Sequence, residues 1–368
     1  MVRLVIILFL FCFALMVNGQ DINEYAVDAA ARAIPREETN TTADIAQYIG
    51  KHFDTDDKKV RAAYAWVTTN IKYDKDSIHR VILDESREEK VTFALRRRKG
   101  VCENFAAIFN DICIKSGIPS FVIEGYSTQN GNINKEPHAW CAARIGGNWF
   151  LFDPTWDAGF TSSGGLNKAR YFKILPVDFI QTHYPFDPLF QFLNYPLNYH
   201  EFSRNVSSGK TYFNFTDSLK AYQDADSLTR YLSALARIEK NEWPETLIDI
   251  KKKQIKLEIE LIYQDSDMSD YNSAINDYNQ AIGNLNTFLN YRNNQFQPPK
   301  KEEEVQGIFN EIKRKINLAN LKLNRVNQSK ATLALNTGDI QKKLDDLVEN
   351  VKQQQTFWKD SSNSRLEK

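Results

Sequence analysis

The chain has 368 residues, and its 47 basic and 47 acidic side chains leave no formal net charge at pH 7. Without an overall positive field, the sequence argues against a nucleic-acid-binding protein, and its length suits two domains. The five histidines are scattered and show no HxxxH spacing, and the four cysteines show no CxxC spacing. The sequence therefore predicts no metal site and no cofactor.

The N-terminal segment has the pattern of a secretory signal peptide. Arg3 supplies a positive charge, residues 4–16 are apolar, and residues 17–19 provide a cleavage site. The apolar run is too short to favour a membrane span, and no later segment is apolar enough for one. We therefore expect removal of residues 1–19 and a secreted or periplasmic protein without an integral membrane segment; the alternative is that this segment is retained as an N-terminal anchor.

The region that follows predicts helices. Residues 22–52 indicate one or two short helices, with Thr42 or Asp44 as a cap. Apolar side chains recur at helical spacing over residues 56–71, which predicts an amphipathic helix. The basic run 96–99 is too short and isolated for a nucleic-acid patch, so we expect a solvated approach to the next helix.

A cysteine stands near the predicted start of that next helix, residues 100–117. Gly100 permits a tight backbone entry, and Gly117 provides the stop. In the first turn, unpaired backbone N–H groups and the positive end of the helix dipole favour a thiolate. Cys102 is therefore a candidate nucleophile, although a cysteine in an apolar helix can equally be an inert buried thiol.

The next segment predicts an antiparallel sheet. A buried strand is expected over 121–123 and a polar loop over 127–135. Residues 139–145 and 149–152 flank two glycines, which indicates a tight hairpin. A helix followed by antiparallel strands is typical of an α+β fold.

The hairpin register predicts that His138 and Asp153 meet. Pairing across the two-glycine turn sets residue 145 opposite 148, so that Asp153 faces about position 140 and lies diagonal to His138 on the same face. Cysteine, histidine and aspartate then supply a nucleophile, a base and an acceptor that orients the base. Each residue alone could be structural, but the order and register of all three together favour catalysis.

The two other cysteines of the mature chain are expected to be small buried thiols. Cys113 follows Cys102 by about three helical turns, on the same helix face. Cys141 leaves its strand on the face opposite His138. A disulfide between Cys113 and Cys141 is therefore not expected.

Three segments together resemble the transglutaminase-like domain of the papain-like cysteine-enzyme superfamily, in its bacterial and kyphoscoliosis-type branch. The segments are RAAYAWVTTNIKYD, GVCENFAAIFNDICIKSGIPSFVIEGY and PHAWCAARIGGNWFLFDPTWDAG, within about residues 55–160. The resemblance implies a helix bearing the cysteine packed on an antiparallel sheet. The roles that it implies are Cys102 as nucleophile, His138 as base, Asp153 as orienting acid, and Trp140 and Trp156 as aromatic residues around a substrate site.

By this resemblance the protein is expected to be an exported cysteine protease, amidase or transamidating enzyme that acts on amide bonds of a protein or peptide. The Cys102 backbone N–H is a natural oxyanion donor. Tyr73 is a candidate for the second donor, and packing at a strand end is the alternative. A different hypothesis is a catalytically silent transglutaminase-like scaffold that holds a partner.

Composition changes near residue 216, where glycine and tryptophan give way to Lys-, Asn-, Gln- and Leu-rich helical patterns. This half lacks cysteine and histidine, so we expect an accessory all-α bundle that could hold a protein partner. The predicted organisation is a signal peptide (1–19), a transglutaminase-like domain with N-terminal helices (20–184), a Pro- and aromatic-rich collar (185–216), a helical bundle (217–355) and a polar tail (356–368).

Overall fold

The computed structural model describes residues 24–77, 86–129, 131–134, 136–158, 169–206, 208–331 and 335–366. The predicted signal peptide, residues 1–19, lies outside this range. The chain divides into two compact units, Met1–Ala225 with Ser233–Asp249 and Asp226–Leu232 with Ile250–Lys368.

The first unit has an α+β fold, as predicted. Its helices are α1 (residues 24–32), α2 (Thr42–His52), α3 (Asp56–Asn70), α4 (Arg87–Arg97), α5 (Cys102–Lys115), α6 (Pro154–Ala158), α7 (Pro176–Phe179), α8 (Tyr199–Ser203) and α9 (Phe215–Asp224). Its strands are β1 (Lys72–Tyr73), β2 (Lys99–Gly100), β3 (Ser120–Gln129), β4 (Asn132–Ile133), β5 (His138–Ile145), β6 (Asn148–Phe152) and β7 (His183–Pro185). The helix α10 (Ser227–Glu239) and the start of α11 (Glu245–Asn293) cross the boundary between the units.

The main sheet is antiparallel and runs in the order β4-β3-β5-β6, with β7 also paired to β3. The predicted hairpin register is confirmed, since Ile145 lies opposite Asn148 and Cys141 opposite Phe152. The predicted loop over 127–135 is partly wrong because β3 continues to Gln129. Within that extension Ser127 pairs with β7, whereas Thr128 and Gln129 pair with β4. Strand β7 lies some fifty residues later, and the local sequence does not indicate it.

Helix α5 packs on one face of this sheet. Phe105, Phe109 and Ile112 on α5 are fully buried in a core shared with Trp66 of α3 and Phe152 of β6. Burial of large aromatic side chains stabilises such a helix–sheet contact by about 1.5–3 kcal/mol each. The core therefore fixes the start of α5 against the ends of β5 and β6.

Threonines cap helices α2 and α3. The Thr41 hydroxyl accepts the Asp44 backbone N–H, and the Asp44 carboxylate accepts the Thr41 N–H, which is a reciprocal capping box at α2. The predicted cap at Thr42 is therefore wrong by one residue, whereas Asp44, the other predicted cap, takes part in the capping box. At α3 the cap is Thr55, whose hydroxyl accepts the Lys58 N–H.

The collar packs on the first domain, as predicted. Leu189 and Phe192 are buried in one cluster with Ile123, Trp140 and Leu151 of the sheet. The carboxylate of Asp187 forms a two-point ion pair with Arg237, which ties the collar to α10. This cluster covers the sheet face opposite α5.

The second unit contains three long helices, α11, α12 (Glu302–Asn327) and α13 (Thr337–Leu366), that share one apolar core. Pro298 and Pro299 lie between α11 and α12, as the sequence predicts. The predicted polar tail is wrong for residues 356–366, because α13 continues through them. Trp358 is only 6% exposed and its indole N–H donates to the Glu302 carboxylate. Within the described residues, no helix is long and apolar enough to cross a bilayer.

Candidate active site

Cys102 is the first residue of α5 and is half-buried. Val101 precedes it, and the Asn104 side-chain oxygen accepts the Val101 N–H at 2.9 Å. A Cβ at position 100 would lie 2.5 Å from the Asn104 Cβ, so only glycine fits there. Gly100 and Asn104 together hold the tight turn that presents the sulfur at the positive end of the helix.

His138 and Asp153 form a buried hydrogen-bonded pair. The His138 Nε2 lies 2.7 Å from the Asp153 Oδ2, and the carboxylate is fully buried. The other carboxylate oxygen accepts the backbone N–H groups of Thr155 and Trp156 at 2.9 and 3.1 Å. The structure thus brings together the histidine and aspartate that the hairpin register predicted.

Each member of this pair favours the charged form of the other. Burial alone lowers the pKa of His138, but the negative charge and hydrogen bond of Asp153, together with a hydrogen bond to Cys102, raise it to about 10. Burial alone raises the pKa of Asp153, but His138 and His183 more than offset this and hold it well below its usual range. At neutral pH the pair is therefore an imidazolium and a carboxylate.

The contact with Asp153 leaves the second ring nitrogen of His138, Nδ1, for other partners. Because Nε2 is engaged by Asp153, Nδ1 is the nitrogen left for the hydrogen bond with Cys102 that contributes to the raised pKa. Proton exchange between Cys102 and His138 is then possible without loss of the Asp153 contact.

His183 is a second histidine on the same carboxylate, and its position along the chain gives no sign of this contact. Its Nε2 lies 3.2 Å from the Asp153 Oδ2, and its Nδ1 lies 2.8 Å from the Thr182 hydroxyl. A carboxylate only accepts hydrogen bonds, so Nε2 carries the proton and Nδ1 accepts from Thr182. Burial lowers the pKa of His183 to about 4, so the ring is neutral at pH 7.

The neutral His183 should make the protein sensitive to mild acid. An unfolded histidine has a pKa of about 6.5, so the unfolded chain binds more protons than the folded chain between about pH 6.5 and 4. The stabilising contribution of His183 is present above that pH range, and the free energy of unfolding falls by about 2–4 kcal/mol as the pH falls through it.

His183→Gln keeps a donor to Asp153 but does not titrate. In urea unfolding, this variant should therefore lose less stability than the wild type between pH 7 and 4.5. His200→Gln, at an exposed position, should behave like the wild type; an unchanged acid loss in His183→Gln would contradict this account.

The predicted aromatic residues occupy different positions at the site. The Trp156 ring stacks on His138, with centroids 5.7 Å apart, and is partly exposed. Trp140 is 1% exposed and contacts Phe179 and His183. The expectation that Trp140 binds substrate is therefore wrong, because its side chain is enclosed between the sheet and the collar.

Tyr73 lies at the rim of the site. The β1–β2 pairing sets Tyr73 opposite Gly100, two residues before Cys102. Its side chain is 41% exposed, and burial and the nearby Cys102 and Asp153 raise its pKa. The phenol therefore keeps its proton at neutral pH and can donate a hydrogen bond near the sulfur.

The other two described cysteines are buried in the core, and none of the three described cysteines is in a disulfide. Burial raises the pKa of Cys113 well above its usual range. The Cys141 thiol donates to the Ala106 carbonyl oxygen at 3.1 Å, on the sheet face away from His138. Among these thiols, Cys102 is the one that solvent and a substrate can reach.

Ligand atoms of His138, Asp153 and His183 all lie within 4.8 Å of one another, a separation that could suit a metal ion. The spacing of these three residues along the chain does not predict such a group. Both Nε2 atoms point at the same Asp153 oxygen, so both hydrogen bonds would have to break before a metal bound. The geometry fits a hydrogen-bonded network better than a metal centre.

Residues 43–154 match the family model for the Transglutaminase-like superfamily. The chain is 28% identical over 172 residues to kyphoscoliosis peptidase of Homo sapiens. The aligned region covers 44% of this chain and 25% of that protein. It is 24% identical over 198 residues to hillarin of Drosophila melanogaster, which covers 48% of this chain and 24% of that protein. The chain thus spans about a quarter of the length of these curated relatives.

Two solved structures are also similar over part of the chain. The periplasmic domain of TgpA from Pseudomonas aeruginosa is 19% identical with a TM-score of 0.27, covering 39% of this chain and 52% of that chain. A structure described as a TGase is 16% identical with a TM-score of 0.26, covering 42% of this chain and 41% of that chain.

Proposed function

We propose that this protein, whose residues 43–154 form a transglutaminase-like domain, is a cysteine-dependent acyl-transfer enzyme that acts on amide bonds of a protein or peptide. The observation that carries the proposal is the buried His138–Asp153 pair beside Cys102 at the start of α5. Among the three described cysteines Cys102 is the accessible one, which supports its assignment as the nucleophile beside a proton carrier and an orienting carboxylate.

In the proposed mechanism the Cys102 sulfur attacks the carbonyl carbon of a carboxamide. The raised pKa of His138 means that its ring holds a proton at neutral pH, and this proton passes to the leaving nitrogen as the C–N bond breaks. A thioester remains on Cys102. His138 then takes a proton from water or from an amine as that molecule attacks the thioester carbonyl. The C–S bond breaks, the Cys102 thiolate leaves, and the product is a carboxylic acid with water or a new amide with an amine. Asp153 stays ionised and keeps the ring in place.

The proposal is tested with p-nitrophenyl acetate, a small acyl donor that requires no knowledge of the natural substrate. We expect one acetyl group on the protein, located on Cys102 by peptide mass spectrometry, and release of p-nitrophenol. Cys102→Ala should form no such adduct. An unmodified Cys102 in the folded wild type would contradict the proposal and favour the silent scaffold.

A second assay determines whether water or an amine is the preferred acceptor of the acyl group. Dimethylated casein with dansylcadaverine reports transamidation as fluorescence joined to the casein, and peptide fragments report hydrolysis. Export to the periplasm or exterior is a further part of the proposal, and it is supported by the signal-peptide pattern of residues 1–19.

Tyr73 is proposed as the second oxyanion donor beside the Cys102 backbone N–H. Tyr73→Phe removes only the hydroxyl and should lower the rate of Cys102 acetylation by about 10–100-fold, because an oxyanion donor acts mainly in the transition state. Stopped-flow measurement of p-nitrophenol release gives this rate. Tyr195→Phe, also on an exposed tyrosine, is the matched control; equal rates for Tyr73→Phe and wild type would leave Tyr73 a packing role only.

A further inference from the structure

Helix α11 carries a row of exposed apolar side chains in its N-terminal half. These side chains are Ile250 (73% exposed), Leu257 (56%), Leu261 (46%) and Met268 (40%). On the other side of the same segment, Ile255 and Ile259 are buried. The helix therefore has one apolar face packed within the chain and a second apolar face in solvent, which is unusual for a surface helix.

The spacing of the exposed face is that of a coiled-coil seam. With the exposed Gln254 and the half-exposed Gln264 included, the seam is Ile250, Gln254, Leu257, Leu261, Gln264 and Met268. Successive members are separated by alternating intervals of four and three residues, the a and d positions of a heptad pattern. Scattered exposed apolar residues would show no such order.

The seam has the same pattern from either end. An antiparallel copy centred on residue 259 sets Leu257 opposite Leu261 and Gln254 opposite Gln264, with Ile250 opposite Met268. Apolar residues thus meet apolar residues, and Gln254 meets Gln264. The Gln264 amide nitrogen donates to Glu260 of its own helix, and its side-chain oxygen can accept from Gln254 of the second copy. A second copy of this chain therefore offers a complementary surface.

The charges along this segment distinguish the two possible directions. Residues 250–257 contain four lysines and no acidic residue, whereas residues 258–270 contain five acidic residues and no basic one. Of these five, Glu258, Glu260 and Asp265 lie at the surface, whereas Asp267 is buried and Asp270 pairs with Arg325. An antiparallel partner places each basic half beside an acidic half, whereas a parallel partner would place like charges together. The helix dipoles also oppose favourably in the antiparallel pair.

We propose that a second copy of this chain binds to this seam, as an antiparallel pair of α11 segments. The paired length is on the order of 27 Å, at 1.5 Å per residue. Such a short seam with two glutamines gives a reversible dimer with a Kd of about 1–100 µM. This inference does not depend on the activity of Cys102.

Sedimentation equilibrium on the full chain tests the proposal. The wild type should approach the dimer mass at concentrations above about 100 µM, and Leu257→Glu with Leu261→Glu should raise the dimer Kd at least about tenfold. Leu321→Glu is the matched control, because Leu321 is 61% exposed on α12 outside the seam, and it should dimerise like the wild type. Far-UV circular dichroism confirms that each variant is folded. A monomeric wild type at this concentration, or a double variant that dimerises as tightly as wild type, would overturn the proposal.

Direction is tested by cross-linking in a Cys102→Ala background. Ile250→Cys protein mixed with Met268→Cys protein should form a disulfide-linked pair under mild oxidation. Ile250→Cys protein alone should remain unlinked. Efficient linkage of Ile250→Cys with itself would overturn the antiparallel arrangement.

Discussion

Replacing His138 by alanine is expected to slow acetylation of Cys102 by p-nitrophenyl acetate at pH 7 by about 10²–10⁴-fold, the range typical for loss of a positioned acid–base group. In the wild type the raised pKa of His138 keeps a proton on the ring beside the sulfur. Without the ring, the sulfur and the leaving group must exchange their protons with bulk water. The rate of p-nitrophenol release, with the adduct located by mass spectrometry, measures the effect.

The matched control is His200→Ala, because His200 is exposed on α8 and distant in sequence from the three site residues. It should acetylate at the wild-type rate. Near-wild-type acetylation in His138→Ala would mean that Cys102 reacts as an ordinary accessible thiol, and the mechanism would be wrong.

Replacing Asp153 by alanine is expected to lower the free energy of unfolding by about 3–5 kcal/mol, the cost of removing one partner of a buried ion pair. Two imidazoles and the N–H groups of Thr155 and Trp156 lose their acceptor. Asp153→Asn keeps one acceptor oxygen and should lose less. Urea unfolding at pH 6 measures the change.

The loss of unfolding free energy in Asp153→Ala should depend on pH. The lowered pKa of Asp153 contributes stability above about pH 4, and this contribution disappears as the pH falls. The raised pKa of His138 contributes fully below about pH 6.5, and this contribution disappears as the pH rises towards 10. The effect of Asp153→Ala is therefore greatest between about pH 4 and 6.5. Asp178→Ala, on an exposed carboxylate, should change little; an equally small loss in Asp153→Ala would contradict the ion pair.

The local sequence sufficed for the part of the site that lies on one hairpin. Two glycines define the turn, both with positive φ, and the two-residue side-chain period of a strand then places Asp153 near His138. The start of α5 was likewise predictable, since Gly100 and the first turn of the helix are local features. These predictions needed no knowledge of distant contacts.

Long-range pairing explains what the sequence did not reveal. His183 reaches Asp153 because β7 pairs with β3, with Ser127 opposite His183, and no spacing along the chain indicates that pairing. The enclosure of Trp140 has the same origin, since the collar covers it. Trp358 was assigned to a polar tail because its neighbours are polar, yet the core of three long helices buries it.

The most direct measurement of the central claim is the rate at which iodoacetamide alkylates Cys102 at pH 6, in the wild type and in His138→Ala. A protonated imidazole beside a sulfur favours its reactive form, so the wild type should react at least about tenfold faster than the variant. Equal rates in the two proteins would contradict the account.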